Sequence, residues 1–242
     1  MPAVNLAQRG HIATLTLNSL STRNALDDVL RAAFATAIEI VNDDDRVRVV
    51  IVEGVGGVFA NGMYPLPQQP MAPGAGSLVA SLAKPTIAWI DGECMDMGLE
   101  LALACDVRMA SETSTFGLRG VQYGTLPWDG GTQRFSRAVG RAQALRLLLT
   151  GEIIGADEAL RIGLIENMGS AGLAEDWAWR AATSAPIAAA YTKEATTSAH
   201  DLTLGQGLRL EADLNVLLQS TEDRVEGLEA FRSKRKSRFE GR

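Results

Sequence analysis

Histidine and cysteine are scarce in this chain, and each scarcity excludes something. Of 242 residues two are histidine, His11 and His200, and two are cysteine, Cys94 and Cys105. Histidines so far apart in sequence argue against a two-histidine metal centre, and the cysteines have no metal-ligand spacing and fit a reduced compartment. No apolar run reaches the roughly 18 residues that a membrane span needs. The N-terminus lacks the basic segment and apolar stretch of a secretory leader. Positive charge is also short: the formal net charge is −6, which argues against a general nucleic-acid binder with its basic surface. The expectation is a cytoplasmic globular protein with neither nucleic acid nor membrane as a partner.

What is present points to an α/β fold. Hydrophobic residues make up 46% of the chain, enough for one sizeable core. Abundant Ala and Gly favour close-packed helices and turns. Residues 4–17 read as a hairpin: Ala13, Leu15 and Leu17 alternate with Thr14 and Thr16, and Arg9-Gly10 supplies the turn. Asn24 is a candidate cap for a helix with Leu26, Val29, Leu30, Ala33, Ala37 and Val41 on one stripe. Val47–Val52 is a nearly all-apolar strand of the kind buried on both faces. The stretch 64–77 holds four prolines and two glycines and predicts a loop.

A short helix is then expected over 77–83, a strand over Thr86–Ile90, a turn from Gly92 into a helix with Leu101 and Leu103, and a short strand over 106–110. From Gly130 the pattern is helical, with Leu145, Leu148 and Leu149, then Leu210, Leu214, Leu217 and Leu218, then Val225, Leu228 and Phe231 before the charged run Arg232–Arg238. Strands alternating with helices early and helices late predict an α/β core with a helical C-terminal region. No linker or internal repeat divides residues 1–242, so a single domain is expected.

Several segments arrive in a telling order: Arg23-Asn24-Ala25-Leu26, the Phe59–Gly62 turn, Lys84-Pro85 leading to Asp91-Gly92, Glu100-Leu101-Ala102 with Cys105-Asp106, Phe116-Gly117, Gly130-Gly131-Thr132-Gln133-Arg134, Leu149-Thr150-Gly151 and Gly163-Leu164. Together with Glu226-Gly227 to Phe239 they resemble the crotonase (enoyl-CoA hydratase/isomerase) superfamily from about Val4 to Phe239. The resemblance implies a ClpP-like spiral of repeated ββα units over 1–190, with helices over 191–242 for oligomerisation and CoA contact. It implies a homotrimer or a dimer of trimers. It also implies an acyl-CoA substrate, with coenzyme A carried as part of the thioester and no cofactor permanently bound. Two backbone N–H groups would polarise the thioester carbonyl, each stabilising the developing oxyanion by about 3 kcal/mol.

Carried onto this chain, the resemblance puts the first donor at the Asn61 N–H, whose plainer role is that of a turn residue. The second falls at Met97 or Gly98, where a helix N-terminus presents unpaired N–H groups; Met97 could equally be a core plug. Glu100 matches a catalytic acid/base, against the plainer role of a buried ion pair or helix-terminus partner. Counting without a gap to Phe116-Gly117 and beyond puts Gly120 where hydratases of the family carry a second glutamate. Asp129 resembles a catalytic aspartate of relatives that cleave β-diketones, or it caps the helix starting at Gly130. Met63, Tyr64, Gly120, Tyr123 and Trp128 are the expected acyl pocket. Arg23, Ala25, Phe231 and Lys234 are the expected coenzyme A contacts. Tyr64 replaces a frequent aspartate, which leaves room for an acyl-carrier-protein thioester. The leading expectation is an acyl-CoA lyase or isomerase using Glu100. The alternatives are a C–C bond hydrolase of a β-dicarbonyl compound and a catalytically inactive family member.

Overall fold

In the computed structural model, which describes residues 2–62 and 74–242, the alternating N-terminal segment forms the antiparallel hairpin of β1 (Val4–Arg9) and β2 (Ile12–Leu17). Then come α1 (Asp28–Asp43), β3 (Val49–Gly54), β4 (Val58–Ala60), α2 (Ala75–Ala80), β5 (Thr86–Ile90), β6 (Glu93–Met95) and α3 (Met97–Ala104). They are followed by β7 (Val107–Ala110), β8 (Thr115–Gly117), α4 (Gly131–Val139), α5 (Arg141–Thr150), β9 (Ile154–Gly155), α6 (Ala156–Arg161) and β10 (Asn167–Met168). The chain ends with α7 (Gly172–Ala182), α8 (Pro186–Ser198), α9 (Leu204–Leu218) and α10 (Glu222–Arg232).

Each turn of the chain gives one strand to a large sheet, one to a small sheet and then a helix: β3-β4-α2, β5-β6-α3, and β7-β8 leading to α4. The large sheet has the order β1-β2-β3-β5-β7-β10, parallel from β2 onward, and the small one β4-β6-β8-β9. This is the expected ββα spiral with a helical C-terminal region. The all-apolar strand predicted before Gly54 is central and buried on both faces. Val50, Val52, Ala88 and Ile90 face the main core. The intervening Val49, Ile51, Ile87 and Trp89 face α7 through Ala174, Ala178 and Ala182. Alanine at every fourth position gives α7 a flat surface against the sheet.

Several local expectations are corrected. The cap of α1 is Asp27, whose Oδ1 accepts the Leu30 N–H at 2.9 Å. Asn24 is instead fully buried with a positive φ of 52°. Its amide accepts from Ser19 N at 2.8 Å and donates to Val58 O at 2.8 Å, closing the loop onto β4. The buried stripe of α1 is Leu30, Phe34, Ala37, Ile38 and Val41, and Val29 is exposed because it sits off that face. On α5 the buried residues are Ala144 and Leu147, while Leu145 and Leu149 face outward. On α9 only Leu214 of its leucines is buried. The boundary expected after residue 190 falls inside α8, which starts where Pro186 takes the first helical turn.

Two lysines tie layers together. Lys84 Nζ donates to the carbonyls of Val41 (2.5 Å), Asn42 (3.1 Å) and Asp44 (2.8 Å), satisfying the C-terminal end of α1. Lys193 on α8 pairs with Asp106 at 2.9 Å, and Asp106 accepts the Thr86 N–H (2.7 Å) and hydroxyl (3.0 Å) at the start of β5. Lys84-Pro85 and Cys105-Asp106 thus hold the spiral together. Lys84→Ala should lower stability by about 1–3 kcal/mol, read as a fall of several degrees in Tm; an unchanged Tm would show that water satisfies those carbonyls equally well.

Candidate active site

The centre of the molecule is the junction between β6 and α3. Asp96, between them, has φ +52°, a conformation rarely adopted by a non-glycine residue. Its buried carboxylate accepts the Arg119 N–H at 2.6 Å and the Arg119 guanidinium at 2.9 and 2.5 Å. These charge-assisted bonds hold a backbone that would otherwise relax. Two glycines bring this corner against the end of β4. A Cβ on Gly98 would lie 2.2 Å from the Ala60 carbonyl oxygen, and one on Gly62 would lie 2.4 Å from the Asp96 Cβ. Glu100 N, bonded to Asp96 O at 3.0 Å, closes the first helical turn. The N–H groups of Met97 and Gly98 precede that bond, so helix geometry leaves them without an intrahelical acceptor.

Glu100 sits in this first turn, 2% exposed. Its Oε1 accepts the N–H groups of Asp129 at 2.7 Å and Gly131 at 2.8 Å. A Cβ on Gly131 would lie 2.9 Å from that oxygen, so glycine is what lets this N–H approach. Burial pushes the Glu100 carboxyl above the usual range. The N–H groups of Gly131, Asp129 and Trp128 pull it down, and the nearby Asp129 charge adds to the rise. Beside Glu100 is a cavity of about 20 Å³, lined also by Met97, Leu118, Gly120, Leu126 and Trp128, which is room for about one water.

Gly120 opens a 3-10 turn over Gly120–Tyr123. A Cβ there would lie 3.0 Å from the Thr125 carbonyl oxygen, and Thr125 N donates to Gly120 O at 3.0 Å. A larger residue at 120 would therefore need the Thr125 backbone to give by a few tenths of an ångström. Tyr123 is exposed and does not line the cavity. Met63 and Tyr64 lie outside the described residues.

Asp129 and Asn61 depart from the sequence reading. The Asp129 carboxylate accepts Gly76 N (2.5 Å), Ser77 N (3.1 Å) and Ser77 Oγ (2.5 Å). It therefore caps α2, and neither lines the cavity nor caps the helix that follows it. The Asn61 N–H donates to Asn24 O at 3.3 Å, and Asn61 O accepts Leu26 N at 3.4 Å, in a parallel bridge with Ala25. The backbone at Asn61 is still paired as a strand, so the expected donor is already engaged. Arg23 pairs with Glu93 of β6. Arg23, Ala25 and Asn61 are thus linked through Glu93 and the Ala25–Asn61 bridge, while Met97, Glu100, Gly120 and Trp128 line the cavity.

Phe231 and Lys234 are not brought to this cavity by any hydrogen bond or ion pair among the described residues. Phe231 is 83% exposed at the end of α10. After Lys234 the tail folds back: Arg235 pairs with Glu226 at 2.6 Å, and Asp223 accepts the Glu240 and Gly241 N–H groups at 2.7 and 3.0 Å. The Arg235 hydrogen bond leads in holding the Glu226 carboxyl down at about 2. Sequence reasoning missed Asp96, Arg119 and Thr125, whose roles arise from contacts across the spiral. It passed over Gly131 too, although a glycine pair ahead of a helix was a visible signal.

Comparison with known proteins agrees with this architecture. The family model described as enoyl-CoA hydratase/isomerase matches residues 7–242. The chain is 37% identical over 258 residues to (E)-benzylidenesuccinyl-CoA hydratase of Thauera aromatica, covering 98% of this chain and 99% of that protein. It is 32% identical over 255 residues to 2,3-dehydroadipyl-CoA hydratase of Escherichia coli K12, covering 100% of both. The crystal structure of an enoyl-CoA hydratase from Bacillus anthracis matches with a TM-score of 0.93 at 30% identity, covering 99% of this chain and 100% of that one. With similarity running the length of the chain in sequence and in fold, this protein belongs to the crotonase, or enoyl-CoA hydratase/isomerase, superfamily, as an enzyme of hydratase/isomerase type acting on CoA thioesters.

Proposed function

We propose that this enzyme works through an enolate of its acyl-CoA substrate, with Glu100 as acid/base and no second carboxylate at Gly120. The supporting observation is the setting of Glu100: buried, held through Oε1 by two backbone N–H groups, and next to a water-sized cavity at the N-terminus of α3. Taking a proton from carbon beside a thioester, or adding water across its conjugated double bond, drives charge onto the carbonyl oxygen. The Met97 and Gly98 N–H groups are oriented donors for that charge. The opposing donor is assigned to the turn just past Asn61, because Gly62 abuts Asp96. Burial that raises the Glu100 carboxyl brings it nearer the pH at which it can both take and return a proton. With glycine at 120, Glu100 must do this alone or through bound water, which favours an atypical substrate or reaction. The C–C hydrolase reading loses its motive, since the Asp129 carboxylate is committed to α2.

Coenzyme A enters as part of the substrate, with Arg23, Ala25, Phe231 and Lys234 as its contacts; a carrier-protein thioester is the variant that a short acyl-side loop would permit. The enzyme is proposed to act in the cytoplasm as one domain and as a homotrimer or dimer of trimers. In support of assembly, Leu208, Val216, Leu217, Val225 and Phe231 of the last two helices all stand exposed, an apolar surface that a symmetric interface would bury.

Glu100→Gln should cut turnover of an accepted enoyl-CoA by about 10²–10⁴-fold, and a fully active variant sinks the assignment. Where Glu100 acts as base, activity should fall as pH drops through its raised pKa. The fold favours the protonated carboxyl, so the linked stability is complete below the ordinary carboxylate range and lost as pH rises through the raised value. Gln mimics the protonated form, and Tm in neutral buffer should be unchanged or higher. Lys234→Ala should raise KM with little change in kcat, as expected for a remote phosphate contact; unchanged calorimetric affinity for CoA would remove Lys234 from the site. Sedimentation at micromolar concentration should give a trimer or hexamer, and a monomer alone would refute the assembly.

A further inference from the structure

Asp129 joins two segments that lie 53 positions apart in the chain. Its N–H donates to Glu100 Oε1 at 2.7 Å, while its carboxylate takes three donors from the N-terminus of α2. Its carbonyl accepts from Arg134 Nη1 at 2.6 Å. All three polar groups of one residue are thus used to fix one stretch of backbone. That stretch needs fixing: Gly130 follows with φ +94°, and Gly131 supplies the second N–H to Glu100. Two adjacent glycines are the part of a loop that loses most conformational freedom on ordering.

The receiving end is shaped for the carboxylate. A Cβ on Gly74 would lie 2.3 Å from the Asp129 Oδ2, and one on Gly76 would lie 2.8 Å from it. Glycine inside a helix as short as α2 is otherwise unfavourable; here it is what admits the Asp129 side chain.

We propose that Asp129 is a positioning residue for the reaction: by clamping the start of α2, it holds the backbone of residues 129–131 with its N–H groups aimed at Glu100. The proposal rests on Glu100 as the acid/base. An ordinary helix cap would affect stability alone, whereas a positioning residue also changes the titration of Glu100. The ionisable groups around Glu100 are few. Asp96, just before the helix of Glu100, is paired with Arg119, Arg134 of α4 is bonded to the Asp129 carbonyl, and α2 contributes the neutral Ser77. Loss of the Asp129 charge alone would lower the Glu100 pKa. Loss of the Gly131 and Asp129 N–H bonds would raise it, and these outweigh the charge in their effect on Glu100. The two possibilities differ in sign.

The test is a carbon-13 carboxyl NMR titration of Glu100 in the full chain without substrate, the signal being assigned by its loss in Glu100→Gln. Asp129→Ala removes the acceptor of all three α2 donors and should release the clamp. The Glu100 pKa should then rise by about one unit, and crotonyl-CoA turnover should fall about tenfold or more with KM nearly unchanged. A Glu100 pKa that stays or falls overturns the proposal. If that variant does not fold, Ser77→Ala decides, because it weakens the clamp without removing charge. Its Glu100 pKa should rise by a smaller amount, with Ser77→Thr restoring the native value, and an unchanged titration in Ser77→Ala overturns the proposal. Full turnover in Glu100→Gln would instead refute the acid/base reading and leave the titration result standing, so the two failures are distinguishable.

Discussion

The backbone approach of α3 to the end of β4 is the constraint on which the site depends. Gly98 lies against the Ala60 carbonyl and Gly62 against Asp96 with no space for a Cβ at either place. This contact sets where the first turn of α3 begins, and so where the Met97 and Gly98 N–H groups and the Glu100 carboxylate point. Asp96 makes the corner possible by accepting an unfavourable φ in exchange for its bonds to Arg119. Arg119 immediately precedes Gly120, so the same ion pair anchors the opposite wall of the cavity. One strained residue and its partner thereby position both sides of the chemistry.

The spiral supplies the rigidity that such a corner requires. Each small-sheet strand has at most three residues, too short to stand alone; β4, β6 and β8 each follow a large-sheet strand in the chain, and β9 is held between α5 and α6. The large sheet is in turn buried on both faces, by the main core and by α7. Lys84 and the Lys193–Asp106 pair stitch helices to strand ends away from the cavity. The polar residues that look most distinctive in the sequence therefore divide into two sets, one holding the frame and one holding Glu100.

Much of the frame was legible because it follows periodicity. The hairpin, the buried strand before Gly54 and the strand at Thr86–Ile90 could be read from alternation and apolar runs alone. The strands β4, β6 and β8 could not, since three residues carry no period. The helical stripes were legible in kind but rotated in detail: Val29 and Leu149 are apolar yet face outward. At the site, Glu100 stood out as a carboxylate in an apolar helix, and Gly98 fell at the expected helix start. The engagement of the Asn61 N–H with Asn24 was not legible, since nothing local marks where pairing with Ala25 stops. Asp129 was legible as a cap, but its helix is α2, and only the folded chain brings Gly76 and Ser77 to it.

Gly120 can now be understood as more than a deletion. A glutamate grafted at this position into an open pocket would meet no obstacle, but here its Cβ would press on the Thr125 carbonyl at 3.0 Å. Thr125 is itself bonded back to the Gly120 carbonyl through its N–H and its hydroxyl. The turn fits tightly against the glycine. Meanwhile Asp129 puts a negative charge near Glu100 from the other side, and the charge is kept from the cavity by its three donors on α2. Two facing carboxylates in a small, buried space would each oppose the other's ionisation. Of the carboxylates at the cavity, Asp96 is neutralised by Arg119 and Glu100 carries no ion pair among the described residues, while Asp129 is committed behind it. Asp129 acts on Glu100 through the backbone and through its field, so the cavity keeps its space for water.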